Sequence, residues 1–136
     1  MEFRETTQED LDFVADNSIS RGIQKKCPEQ IDYMFTLEHE GKPLGVGGFR
    51  VINPTTAWCW TDWTHLTGKH LVTSYRTVKE YIDIFAKEHK LKRLQAYVEC
   101  DFTEAIRMVE HLGFTKESTM KNFIGDKDAF MFVRIL

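Results

Sequence analysis

Five histidines are the most obvious metal ligands of this sequence, His39, His65, His70, His89 and His111, and no two of them stand at the i, i+4 spacing that puts a ligand pair on one helical face. Asp62 lies near His65 in sequence, but no third ligand accompanies them, so no metal site is expected. Cys27, Cys59 and Cys100 are odd in number, widely spaced and free of any C-x-x-C pair, which points to neither a zinc site nor a disulfide framework and reads as reduced thiols in a cytoplasmic protein. Gly45-Val46-Gly47-Gly48 has the composition of a phosphate loop, yet it falls inside a strand pattern and not between a strand and a helix. Glycines there are expected to mark a bulge or a close backbone approach. Trp58, Trp60 and Trp63 form the densest aromatic group. They are read as filling space between sheet and helices, with a partner-binding patch as the alternative if Trp58 or Trp60 is exposed.

Charge narrows the class of partner. The formal net charge is −3, which argues against a domain whose task is gripping phosphate backbones. Lys87, Lys90, Lys92 and Arg93 cluster where a helix is expected to end, and cations there complement the negative end of the helix dipole. With 42% hydrophobic and 29% charged residues over 136 positions, the chain has the composition and length of one self-sufficient domain, 1–136. No basic-then-apolar leader and no run long enough to span a bilayer is found, so a location in the cytoplasm, without membrane or nucleic-acid partners, is the expectation.

The elements that must position these residues follow from periodicity and caps. Phe3 to Glu5 reads as a strand, and Thr7 as the N-cap of a helix over Gln8 to Ser18, with Asp10 completing a capping box and Leu11, Val14 and Ala15 on the buried face. Between Ile19 and Ile31 the pattern is weak, and Gly22 and Pro28 point to a short second helix and a loop. Tyr33 to Glu38 and Leu44 to Ile52 form a hairpin through Glu40-Gly41-Lys42, and Ala57 to Thr64 adds a third strand, with Trp58 and Trp60 on one face and Trp63 on the other. Leu71, Tyr75, Val78, Ile82 and Phe85 recur at spacings of four and three, predicting a long helix from near His70 to Lys90. Leu94 to Cys100 alternates as a strand. Asp101 then N-caps a helix that buries Phe102, Ala105, Ile106, Val109 and Leu112 and stops at Gly113, and Phe114 to Lys121 and Ala129 to Leu136 close the chain as a hairpin around Gly125-Asp126. A strand–helix–strand unit inside this order requires one parallel pair. The fold class is therefore α/β (α+β): a mixed, mostly antiparallel sheet with a central parallel strand pair and about four helices packed on both faces.

That order, together with Ala105-Ile-Arg-Met-Val-Glu-His-Leu-Gly-Phe114 after the long helix and strand, resembles the GNAT acetyltransferase fold over nearly the whole chain. A narrower stretch from Trp63 to Phe114, with Leu66-Thr67-Gly68-Lys69 before the long helix, resembles the short GNAT-like virion-morphogenesis proteins of podophages. The first resemblance implies acetyl-CoA held by an Arg/Gln-x-x-Gly-x-Gly/Ala turn before the long helix, where backbone N–H groups and the helix dipole meet the pyrophosphate. The degenerate cofactor-binding loop comprises Gly68, Lys69, His70, Leu71 and Val72, with Thr67 at the Arg/Gln position, His70 at the first glycine and Val72 at the second. A Cβ at each glycine position obstructs the approach of phosphate to the backbone. The resemblance further implies a tyrosine four residues before the glycine of Leu-Gly-Phe, and an asparagine at the start of that helix. Here these positions are Val109 and Phe102. Catalytic candidates for a GNAT reaction are the strand carboxylates Asp62 and Glu99, with Tyr97 as a phenol donor.

Three functional readings stand from the sequence. The first is a GNAT-fold protein with no acetyl transfer and no cofactor, acting through protein partners, in phage particle assembly if the podophage resemblance holds, with homo-oligomerisation open. The second is an active N-acetyltransferase using acetyl-CoA with a divergent loop. The third is an inhibitor or decoy that binds a host protein through the Trp-rich strand.

Overall fold

A computed structural model describes residues 1–19 and 33–136. The expected short helix between Ile19 and Ile31 falls almost wholly outside them, as does Cys27. Among the described residues the order is β1 (Glu2–Glu5), α1 (Gln8–Asn17), β2 (Tyr33–His39), β3 (Lys42–Asn53), β4 (Thr56–Trp63), a 3-10 helix (His65–His70), α2 (Leu71–Glu88), β5 (Arg93–Glu99), α3 (Thr103–His111), β6 (Thr115–Ile124) and β7 (Lys127–Ile135). Hydrogen bonding orders the strands β1-β2-β3-β4-β5-β7-β6, a mostly antiparallel sheet whose β4–β5 pair is parallel. No helix among the described residues is long and apolar enough to cross a membrane. Two compact units make up the chain, one of Met1–Arg50 with Cys59–Ser74 and one of Val51–Trp58 with Tyr75–Leu136.

In the first unit, α1 begins where the sequence predicts. Thr7 Oγ1 accepts from the Asp10 N–H at 3.3 Å and Asp10 Oδ2 accepts from the Thr7 N–H at 2.8 Å, so both halves of the capping box are present. The same carboxylate takes a two-pronged contact from Arg4, Nη1 to Oδ2 at 2.6 Å and Nη2 to Oδ1 at 2.8 Å, and accepts the Thr36 hydroxyl at 3.1 Å. Arg4 Nε also donates to Glu38, which reaches it because β1 and β2 pair with Arg4 opposite Thr36. Val14 is buried and Leu11 half-buried, but Ala15 is exposed, because the inward face is the one that Val14 shares with Asp10 four residues earlier. The β2–β3 hairpin closes on Glu40 and Gly41, both at positive φ (52° and 77°), as a two-residue turn matched to strand twist demands.

The glycines of β3 mark the close approach expected of them. A Cβ on Gly45 would sit 2.9 Å from the Asp62 carbonyl oxygen and 2.9 Å from Trp63 Cε3, and one on Gly47 would sit 3.0 Å from the Trp60 carbonyl oxygen. Trp63 is thereby laid flat against bare backbone and is only 3% exposed.

In the second unit the parallel ladder is short: Thr56, Ala57 and Trp58 pair with Arg93, Leu94 and Gln95. Val78, Ile82, Phe85 and Ala86 form the buried stripe of α2, but Leu71, expected on that stripe, is exposed as the first residue of the helix, directly after the 3-10 helix and ahead of the buried stripe by about two turns. Lys90 at positive φ ends the segment, with Lys87 in the last helical turn. The N-cap of α3 is Phe102, not Asp101. The Phe102 N–H donates to the Glu99 carbonyl at 3.0 Å, a turn off the end of β5 that moves the helix start one residue on and leaves Asp101 in the turn. Met108 joins Leu112 as fully buried, while Ala105, Ile106 and Val109 are half-buried. Gly113 ends the helix at φ 93°, beside the Arg134 side chain. Gly113→Ala is expected to lower stability by about 1 kcal/mol, measurable as a shifted urea midpoint with unchanged slope.

Candidate functional site

The turn that would cradle a pyrophosphate lies in the first unit. Thr64 hangs it from β3: its N–H donates to the Leu44 carbonyl at 2.8 Å and its hydroxyl to the same oxygen at 2.9 Å. Residues His65–His70 then form a 3-10 helix that runs straight into α2 with no intervening extended residue. Successive turns of a 3-10 helix direct N–H groups to carbonyls three residues back, and Thr67 does so to Thr64 at 3.1 Å. Thr67, at the Arg/Gln position, is buried and its hydroxyl donates to the Leu44 carbonyl at 3.0 Å, so it faces the strand rather than a ligand. His70, at the first glycine position, packs its ring on His39, centroids 4.4 Å apart. Val72, at the second, presents its side chain to solvent at 68% exposure. Gly68 has open space around its Cα and an ordinary φ, and Lys69 is exposed. Within this turn the Thr67 N–H is taken up by the Thr64 carbonyl, and the branched apolar side chain of Val72 stands exposed at the start of α2.

Asp62 belongs to the same unit and is buried. The Ser18 hydroxyl donates to its Oδ1, and the Ser18 backbone bridges to Thr64. Its role here is to tie the end of α1 to the end of β4. No three His, Cys, Asp or Glu side chains converge to hold a metal among the described residues.

Glu99 and Tyr97 belong to the second unit, two residues apart on β5 and therefore on one face. Glu99 is 4% exposed. Lys127 Nζ lies 3.2 Å from its Oε1, off the hydrogen-bonding direction, so that oxygen carries an ion pair without a hydrogen bond. The Tyr97 ring meets Trp58 edge-on (centroids 6.1 Å, 79°) and Phe123 at 4.9 Å and 62°. The parallel register puts Trp58 beside Gln95, and Phe123 reaches Tyr97 where β6 breaks register between Met120 and Ile124. Val109 is half-buried on α3 and has no proton to donate. Lys127 and Phe123 were not legible as partners of Glu99 and Tyr97. A diagonal cross-strand rule, Glu99 opposite Ala129 with Lys127 two residues away, would have found the first once register was known.

No protein-family model and no curated protein sequence matches this chain. Solved structures do match. The Ard1 structure from Thermoplasma volcanium aligns at TM-score 0.77 and 17% identity over 99% of this chain and 97% of its own. The ribosomal-protein-S18-alanine N-acetyltransferase of Escherichia coli aligns at 0.75 and 16% over 98% and 92%, and the ribosomal-protein-alanine N-acetyltransferase of Brucella melitensis at 0.72 and 18% over 100% of both chains. A Bacillus anthracis structure described as a GNAT-family acetyltransferase aligns over 75% of this chain at TM-score 0.64. At these identities the likeness establishes the fold: the chain has the architecture of the GNAT acetyltransferases.

Proposed function

We propose that this chain is a GNAT-fold protein that does not use acetyl-CoA and works as an interaction module for a protein partner. The observation that carries the reading is the turn before α2. Its N–H groups lie within a 3-10 helix and its Arg/Gln position is a buried threonine bonded to Leu44. A phosphate seat needs free, convergent N–H groups, and a turn wound as a 3-10 helix with its Thr67 N–H engaged supports the reading that this one is not such a seat. Loss of the phenol at Val109 removes the proton donor for a departing thiolate in the same protein. The narrower reading, a part in phage particle assembly, rests on the podophage resemblance of Trp63 to Phe114 alone. Calorimetry with acetyl-CoA is expected to give no one-to-one isotherm with a Kd below about 100 μM, and a stoichiometric micromolar isotherm would reject the proposal.

A second reading, acetyl transfer to an amine, is favoured by one feature: Glu99 is a buried carboxylate on the strand face that also carries the Tyr97 phenol. Under it Glu99 serves as base and Tyr97 as phenol donor, both in the second unit, with Asp62 of the first unit a separate candidate base and the coenzyme seated elsewhere than in the standard turn. The Escherichia coli, Brucella melitensis and Bacillus anthracis proteins named above are described as acetyltransferases, which supplies the analogy and not the activity. Screening the purified protein with acetyl-CoA against amines and peptides decides it: thiol release above background supports transfer, and silence across the panel rejects it.

A further inference from the structure

The second unit carries a combination that the loop chemistry does not use. On one face of β5 stand a buried carboxylate and, two residues earlier, a tyrosine ring flanked at steep angles by Trp58 and Phe123. Phe123 is 44% exposed, and Trp58 and Tyr97 are half-buried, so the aromatic group is open to solvent at its rim. The carboxylate already has an ammonium at its door. Lys127 Nζ sits at Oε1 while its own side chain remains 53% exposed, which shows that a route from solvent to this buried oxygen exists and that an ammonium fits it.

We propose that Glu99, Trp58, Tyr97 and Phe123 form a seat for a lysine side chain of a protein partner, and that Lys127 occupies it as an internal competitor until the partner displaces it. This rests on the interaction-module reading and names what that module binds. Lysine is the cation named because the group that now sits at the carboxylate is a lysine ammonium, a point charge placed on one oxygen. The aromatic rings would take the apolar stem of the incoming lysine and attract its charged end. The overall charge of −3 favours approach of a basic partner. Release of Lys127 is offset by the incoming ammonium, which takes its place beside the buried Oε1 and keeps that charge compensated.

The probe is a five-residue blocked peptide with one central lysine, and its twin with norleucine, titrated without acetyl-CoA and followed by tryptophan fluorescence and two-dimensional NMR. Because no coenzyme is present, the outcome is independent of the calorimetric test above. Weak binding of the lysine peptide, Kd about millimolar, is expected, with the norleucine peptide at least about fivefold weaker. Lys127→Ala is expected to tighten the lysine peptide about threefold, since a competitor that occupies the seat lowers apparent affinity by the fraction it blocks. Phe123→Ala, at an exposed position that leaves folding intact, is expected to weaken it severalfold, and Glu99→Gln to abolish it, each variant checked by its unfolding midpoint. Equal binding of both peptides overturns the proposal. So does a Lys127→Ala protein that binds the lysine peptide no more tightly than the parent.

Discussion

Asp10→Ala is expected to destabilise the protein by about 3 kcal/mol, lowering the thermal midpoint by roughly 10 °C, the larger of the effects expected from any single polar side chain described above. One carboxylate does three jobs. It closes the capping box with Thr7, it takes both Nη atoms of Arg4, and it accepts the buried Thr36 hydroxyl. Loss of the cap alone is worth about 1 kcal/mol. The remainder comes from the lost two-pronged contact to Arg4, which keeps Glu38, and from the lost bond of the buried Thr36 hydroxyl, which keeps only Thr6 Oγ1 at 2.9 Å. The partly exposed Arg4 keeps the figure at the low end for a broken ion pair.

The pH dependence follows from the same contacts. Hydrogen bonding from Arg4, then from the Thr7 backbone and Thr36, holds the Asp10 carboxyl at about 2 against an ordinary 3.8, in opposition to its burial. Because the folded value is the depressed one, this contribution is fully present above about pH 4 and is lost as pH falls through 2. The depression corresponds to about 2 kcal/mol. Asp10→Asn keeps an acceptor for the cap but no charge, so its deficit relative to the parent is expected to be plain at pH 6 and to shrink as the pH approaches 2. Denaturant titrations at the two pH values measure it, and a deficit that stays constant would refute the assignment.

Gly45→Val is expected to cost about 3 kcal/mol, through overpacking rather than through loss of a contact. The first added carbon meets a backbone carbonyl oxygen and the Trp63 ring, both at 2.9 Å, and neither is the loose end of a flexible chain. Trp63 is further pinned by its Nε1 donating to Thr61 Oγ1 at 3.0 Å. Relief therefore requires moving β4 itself. Gly68→Ala is the control: a Cβ added there would have nothing within 4 Å and the φ is ordinary, so the change is expected to be neutral or to stabilise by about 0.5 kcal/mol. Comparable midpoints for the two variants would mean that Trp63 does not lie on Gly45.

Local signals were the most legible part of the chain. Thr7 and Asp10 announce their capping box through spacing alone, because both partners lie within one helical turn. The stripe Val78, Ile82 and Phe85 reports burial because an amphipathic helix can hide only one face. The β2–β3 turn was readable at Glu40-Gly41 for the same reason of short range. The first failures arose where a neighbouring element takes over. Asp101 lost the N-cap to Phe102 when the chain turned back onto the Glu99 carbonyl, and Leu71 lost its place on the buried stripe because a 3-10 helix precedes α2.

The residue sequence by itself determined the mixed sheet with one parallel pair and the order of the described strands and three α-helices, though it implied about four helices and did not foresee the 3-10 helix. Those are properties of residue type and periodicity. Tertiary structure alone decided what particular side chains do: that Thr67 turns inward to Leu44, that Asp62 is bonded to Ser18, that Trp63 lies on Gly45, and that Lys127 reaches Glu99. Each of these joins residues far apart in the chain through strand register and bulges, and register is set by the packing of whole strands, which no short window of sequence contains.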